Sequence, residues 1–221
     1  MKRIALLVAL IALPGCKTQI STDLFTSDLI AATEGKTITA PLEIGMEAGS
    51  KDKCNDTAPA ILQAIETKFA EAEFIGCQDA GWDTFARFRV QAEVIAFADE
   101  PPTPNEAFAI GVRASDLSFS VVYLINRKAA RAIWDALPEE LTEYQTYKLE
   151  PVLFALLNND LRTSVTVTTD DVFADGTPIQ GTVNRDMPRR DQIELQMSNV
   201  TNAAFATSAH AAHIVTFTLP E

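Results

Sequence analysis

His210 and His213 are the only histidines in the chain, and they stand three residues apart in His210-Ala211-Ala212-His213. On a helix that spacing puts both imidazoles on one face, where they could hold zinc. A zinc enzyme also needs a third ligand and a general base, and no H-E-x-x-H context accompanies the pair. The plainer reading, two loop histidines ahead of a last strand, is preferred. Asp170, Asp171 and Asp175-Gly176 are the other metal-like cluster. Calcium loops of the EF-hand type need alternating carboxylates and a distal glutamate, which are missing here, so a hydrophilic hairpin turn is expected. The sequence contains no G-x-S-x-G elbow, P-loop or G-x-G-x-x-G. Glu139-Glu140 reads as solvated surface charge, and Arg189-Arg190-Asp191 as a charged strand entry rather than a binding fork. No catalytic residue, metal or cofactor is assigned. Trp82, in Ala80-Gly81-Trp82-Asp83, is the one candidate interface anchor, with packing over a neighbouring disulfide as its alternative. Trp134 belongs to a helical apolar stripe and is expected in the core.

The three cysteines, Cys16, Cys54 and Cys77, carry more information. Lys2 and Arg3 open the chain, Ile4 to Leu13 is an apolar run of ten residues, and Leu13-Pro14-Gly15-Cys16 closes it. A spanning helix needs about 20 apolar residues, whereas a short run behind a basic start fits a secretory h-region. Gly15 before Cys16, with Leu13 two positions further back, resembles the lipobox of bacterial lipoproteins. Pro14 stands where that pattern usually holds Ala, Ser or Thr. The alternative is an ordinary signal peptide with an incidental cysteine.

The resemblance implies cleavage after residue 15, with diacylglycerol on the Cys16 thiol and acylation (palmitate-type) of its new amino group. Multiple acyl chains anchor a protein stably, at ~0.8 kcal/mol per buried CH₂. Lys17, rather than Asp, follows the cysteine. In lipoproteins of this kind that implies sorting to the outer membrane, facing the periplasm, in a Gram-negative host. Lipidation of Cys16 leaves Cys54 and Cys77, and an exported chain with two remaining cysteines is expected to pair them. Two buried thiols or a metal pair are the alternatives.

Composition sets further bounds. Charged residues are 22% and the net charge is −12, which becomes −14 once Lys2 and Arg3 are removed. With no Lys/Arg-rich stripe, nucleic-acid binding is disfavoured. The acidic body also disfavours broad contact with anionic membrane surfaces, so the lipid on Cys16 is the expected membrane contact.

Periodicity predicts an α+β fold, with largely antiparallel sheet and two main helices over 56–72 and 127–137. Residues 16–36 are expected to be the lipidated N-terminus and a tether with a short helical segment, and 37–221 the globular region. The Pro101-Pro102 stretch within 99–105 is a candidate boundary between two βα-type lobes; one continuous sheet is the competing reading. In the first helix Pro59 is placed in the first turn, and Cys54 and Cys77 flank the helix. Residues 149–157 and 161–169 read as a β-hairpin around Asn158-Asn159-Asp160. Asp175-Gly176 reads as a tight turn.

Beyond the lipobox, the chain resembles small lipoproteins of unknown function found in bacteria and on phage or mobile elements. The carrying residues are Thr26-Ser27-Asp28-Leu29, the pair Cys54 and Cys77, Leu157-Asn158-Asn159-Asp160 and Phe173-Ala174-Asp175-Gly176-Thr177-Pro178. The resemblance implies a location and no mechanism. The expected function is a non-catalytic, membrane-anchored envelope protein that binds an unknown envelope partner or supports an assembly. A carrier for lipid or another apolar ligand is the second hypothesis. A hydrolase using His210 or His213 is the third.

Overall fold

The computed structural model describes residues 18–80, 83–142 and 151–220. Strand β1 (Thr18–Phe25) turns Thr18, Ile20, Thr22 and Leu24 inward, with Gln19, Ser21 and Asp23 between them on the other face. Helix α1 (Thr26–Thr33) follows directly. The stretch expected to be a tether is therefore a strand and a helix of the fold itself. Its period-2 alternation was readable, but hydroxyls at Thr18 and Thr22 in the inward row hid it.

Strand β2 (Ile38–Glu47) buries Ala40, Leu42, Ile44 and Met46. Helix α2 (Lys51–Glu66) begins and ends earlier than 56–72. The Ser50 hydroxyl accepts from the Lys53 N–H at 3.4 Å, so the cap lies well before Asp56. Pro59 thus sits inside the helix, and Cys54 lies in its early turns rather than before its start. Strands β3 (Ala72–Ala80), β4 (Asp83–Ala96), β5 (Phe108–Ser115) and β6 (Ser118–Ile125) come next. Helix α3 (Arg127–Asp135) is capped by Asn126, whose side chain accepts from the Ala129 N–H at 3.1 Å. A short α4 (Glu139–Thr142) follows.

The remaining elements are β7 (Pro151–Asn158), β8 (Val165–Asp170), β9 (Val172–Ala174), β10 (Thr177–Pro178), β11 (Thr182–Met187), β12 (Gln192–Met197), α5 (Asn199–Thr207) and β13 (Ala211–Thr218). The turn between β9 and β10 is the expected Asp175-Gly176, and both residues have positive φ, +48° and +74°. Two consecutive positive φ values define the hairpin turn that Asp-Gly favours.

All strands join one sheet in the order β10-β9-β12-β7-β1-β2-β4-β5-β6-β13-β8-β11, with β3 on β4 off that path. Strand content is 50% against 23% helix. The expected α+β class with two main helices is therefore corrected to a mainly β fold, a curled half-barrel sheet with small helices. The segment 99–105 separates no lobes: β4 and β5 on either side of it pair in parallel, Val94 beside Ile110. Strand β4 makes this possible by its length. Along one edge it pairs first with β3 and then with β5, while β2 runs along the other.

The expected hairpin of β7 and β8 is also overturned. Strand β7 pairs with β1 and β12, and β8 with β13 and β11. Asn158-Asn159-Asp160 starts a crossing between the two ends of the sheet, and residues 188–191 make the return crossing. Asn159, 1% exposed, joins them. Its amide nitrogen reaches the carbonyls of Thr163, Met187 and Pro188 at 3.0, 2.9 and 3.1 Å. A turn-type asparagine is here a buried tie, a role that local sequence does not display.

The curl wraps the main core, and a second, smaller cluster of Ala109, Val122 and Leu124, with Ile95, Phe97 and Ala211 against it, lies on the opposite face of β5 and β6. The Tyr123 hydroxyl on β6 donates to the Phe154 carbonyl on β7, although β1, β2, β4 and β5 lie between those strands in the sheet. Helix α5 packs against both β7 and β13, with Phe205 fully buried. Arg127 donates to the Phe205 carbonyl at 2.8 Å and also to that of Ala209, supplying positive charge where the helix ends. Helix α2 packs on β3 and β4, and α1 packs on β1, β2, β4 and β5.

Candidate functional site

The convex face of β3, β4, β2, β1, β7 and β12 carries a groove of about 350 Å³. One glycine makes room for its central arginine, and a second marks a break in strand register beside it. Gly45 on β2 stands between Gln19 on β1 and Arg87 on β4, and Gly76 on β3 opposes Arg87 from the other side. A Cβ at Gly45 would lie 3.3 Å from Arg87 Cδ and 3.3 Å from Gln19 Cβ. The glycine therefore leaves a trough for the arginine stem. Gly76 has φ +135° at a break in strand register, a backbone state that favours glycine.

Within the trough the Arg87 guanidinium donates through Nη2 to Glu43 and through Nη1 to Gln78. Arg89 donates to the second Glu43 oxygen at 2.9 Å. Arg87 Nε is buried without an acceptor. It is the one such side-chain donor among the described residues; the other unpartnered buried atom, Glu106 Oε2, is an acceptor. Burial raises the Glu106 carboxyl above its ordinary range, and nearby Glu93 adds to the rise by its charge while donating a compensating backbone hydrogen bond. Around Arg87 the groove adds Gln19, Ser21 and Asp23 from β1, Glu194 from β12, and the half-buried Phe154 and Leu156 from β7. Its volume lies in the usual range for small-molecule sites, roughly 300–1,000 Å³.

Two other concavities are smaller. An apolar notch between Met46, Phe108, Ile133 and Trp134 has a volume of about 40 Å³, comparable with one water's share of liquid volume. A cleft of about 240 Å³ lies where the two ends of the sheet approach each other, with Val167 and Val183 on one side and Ile179 and Ile193 on the other. Arg185 crosses it to Asp175 at 2.6 Å.

The structure disperses most of the residues singled out by type. His210 lies in the turn before β13 and His213 on β13, so no helix aligns them. His213 Nε2 is 3.1 Å from the Thr216 hydroxyl. Partial burial lowers the His213 pKa, against the opposing pull of Asp170. Among the described residues there is no group of three His, Cys, Asp or Glu side chains placed to hold a metal. Trp134 is partly buried against the core rather than fully inside it. Cys16 and Trp82 lie outside the described residues. Cys54 and Cys77 form a disulfide, with Cα atoms 6.1 Å apart, that staples α2 to β3. Nothing in the local sequence sets Arg87 apart from the other charges of β4. The available signal was Gly45, since a glycine inside a strand marks a bulge or a close approach.

The fold and groove together define a class: a mainly β domain on one curled sheet, with a polar groove on its convex side. The chain belongs to a family described as a domain of unknown function, DUF7424, which matches residues 18–221. No curated protein and no solved structure matches the chain.

Proposed function

We propose that this protein is a lipid-anchored domain of the bacterial cell envelope that binds a partner without catalysing a reaction. The observation that carries this reading is the N-terminal sequence: a basic start, ten apolar residues and Cys16, two residues ahead of the first strand. Two further facts support it. The family match begins at residue 18. The Cys54–Cys77 disulfide suits an oxidising compartment. The acyl groups on Cys16 would supply the attachment.

Because β1 starts at Thr18 and lies mid-sheet, the anchor has almost no slack. Two residues span at most about 7 Å. The end of the sheet bearing Thr18 and Met46 would therefore sit at the bilayer surface, and Lys17 would favour the outer membrane. For the apolar-carrier reading the described cavities offer the notch of about 40 Å³ and the cleft of about 240 Å³ crossed by the Arg185–Asp175 ion pair, both below the roughly 300–1,000 Å³ usual for ligand sites. The separation of the histidines from any third ligand gives the hydrolase reading no support.

The test is Cys16→Ser in the full chain, with membrane fractionation and incorporation of a palmitate analogue as readouts. The variant is expected in the soluble periplasmic fraction without label. Unchanged membrane fractionation and labelling would refute the anchor.

A further inference from the structure

We infer that the convex-face groove around Arg87 binds a neutral saccharide. The inference deepens the partner-binding reading above by naming the chemical class that the groove recognises.

Hydrogen-bonding capacity comes first. Glu43 and Gln78 occupy two of the N–H donors of Arg87, and a guanidinium has five. Arg87 Nε is left without an acceptor. Gln19, Ser21 and Asp23 line the same groove. Together they offer donors and acceptors side by side, and a hydroxyl answers both because it donates one hydrogen bond and accepts others.

Charge then narrows the ligand. The Arg87 cation is held by the Glu43 carboxylate, and Arg89 shares that carboxylate's other oxygen. Asp23 and Glu194 add two negative charges to the lining. Counted together, the two arginines and the three carboxylates leave a net charge of −1, so a phosphate or carboxylate ligand gains no net attraction from the cluster. An uncharged ligand needs none.

The apolar part of the lining fixes the shape. Phe154 and Leu156 alternate onto the convex face of β7, next to the polar row of β1. A sugar ring has a hydroxylated rim and faces made of C–H groups. It can rest a face on Phe154 and Leu156 while its rim reaches Gln19, Ser21 and Arg87. An added peptide strand is the poorer fit. Strand addition requires a free sheet edge, and β7, β1 and β2 are all paired on both sides.

The experiment uses the full mature lipoprotein in a detergent without a sugar headgroup, because a glucoside detergent would compete. Neutral oligosaccharides (N-acetylglucosamine oligomers and maltooligosaccharides) are titrated against the isotope-labelled protein, with sialylated and sulfated oligosaccharides as the charged arm. The expected result is saturable binding of a neutral oligosaccharide, with NMR shifts at Gln19, Ser21 and Glu194. Phe154→Ala should weaken binding tenfold or more, and Ser21→Trp, which fills the groove, should abolish it. Both variants are checked by thermal melting for an intact fold. If Phe154→Ala does not fold, Ser21→Trp decides alone. No saturable binding of a neutral oligosaccharide, binding confined to the charged arm, or undiminished binding by folded Ser21→Trp would overturn the inference. The anchor is scored separately: Cys16→Ser should leave saccharide binding unchanged, so a failed anchor and a failed groove give different results.

Discussion

Asp160 caps the first turn of α1 by holding Ser27, from 133 residues further along the chain. Its carboxylate accepts the Ser27 N–H and the Thr26 hydroxyl, each at 2.9 Å, and the Ser27 hydroxyl as well. The residue in the local cap position of α1 is Phe25, which has no side chain able to cap. The helix is therefore finished by the crossing that leaves β7. Burial alone would raise the Asp160 carboxyl, but the bonds from Ser27 and Thr26 outweigh it and hold the group below its ordinary range.

Asp160→Ala should lower stability by about 1 kcal/mol, as loss of a helix cap does, or roughly 2–4 °C in Tm for a domain of this size. The effect should depend on pH with a defined sign. A carboxylate whose folded pKa is depressed stabilises the fold above its unfolded pKa, about 3.9, and loses that contribution as pH falls through the lower folded value. The wild type and the alanine variant should thus differ most near neutrality and converge in strong acid. The group is largely exposed, so solvent screening keeps the pH-linked part small. Urea titrations at neutral and acidic pH would measure it, and a gap that widened on acidification would exclude this role for Asp160.

Asp175 and Arg185 make a second long-range closure, between the two ends of the sheet. Asp175 accepts the Glu194 N–H at 3.0 Å and the Arg185 guanidinium at 2.6 Å, and both bonds lower its pKa. Both side chains are about half exposed, so Asp175→Asn, which tolerates the positive φ of this turn, should cost no more than about 1 kcal/mol globally. The larger effect should be local. Amide exchange should accelerate in β9, β10 and β11, with β1 and β2 unchanged. Uniform protection across all strands would show that the pair does not hold the ends together.

What could be read from the sequence follows the range of the interactions involved. Ile38 to Met46 and Phe88 to Val94 alternate because one face of each strand is buried, so their faces were legible. Asn126 and Pro138 bracket α3, and Asp175-Gly176 forms its turn, because caps and turns act within a few residues. Asp160 and Asn159 could not be read in this way. Each is a normal turn residue whose partners lie on distant segments. The same limit hid the fold class: β7 and β8 look like a hairpin, and only their pairing with β1, β12, β13 and β11 makes one curled sheet. At the groove, Arg87 is visible as an outward charge, while its trough depends on Gly45 from a neighbouring strand.

Tyr123 gives a prediction at alkaline pH. Full burial, with a smaller contribution from the Asp23 charge, raises its pKa well above the ordinary value. The unfolded chain therefore releases this proton first, and stability should fall as pH rises above about 10. Tyr123→Phe removes that term and also the hydrogen bond to the Phe154 carbonyl. At pH 7 the variant should be less stable by about 1 kcal/mol, and it should lose less than the wild type between pH 9 and pH 11. Parallel alkaline curves in chemical denaturation would show that Tyr123 does not titrate on unfolding.

The Cys54–Cys77 bridge provides the largest expected effect. The two residues are 23 apart in sequence, and closing a loop of that length stabilises by about 3 kcal/mol in the chain-entropy model. The bridge joins an early turn of α2 to β3, and β3 pairs only with β4 among the described residues. Without the bridge, β3 keeps that one strand neighbour and its packing on α2. Reduction, or the double variant Cys54→Ala and Cys77→Ala, should lower the urea midpoint by the equivalent of roughly 3 kcal/mol. Amide exchange should rise first in β3 and in the early turns of α2. Cys54 is fully buried and Cys77 is not, so Cys54→Ala alone also opens a small cavity and should cost more than Cys77→Ala alone. Equal stability of oxidised and reduced protein would show that the loop is already restrained in the unfolded chain.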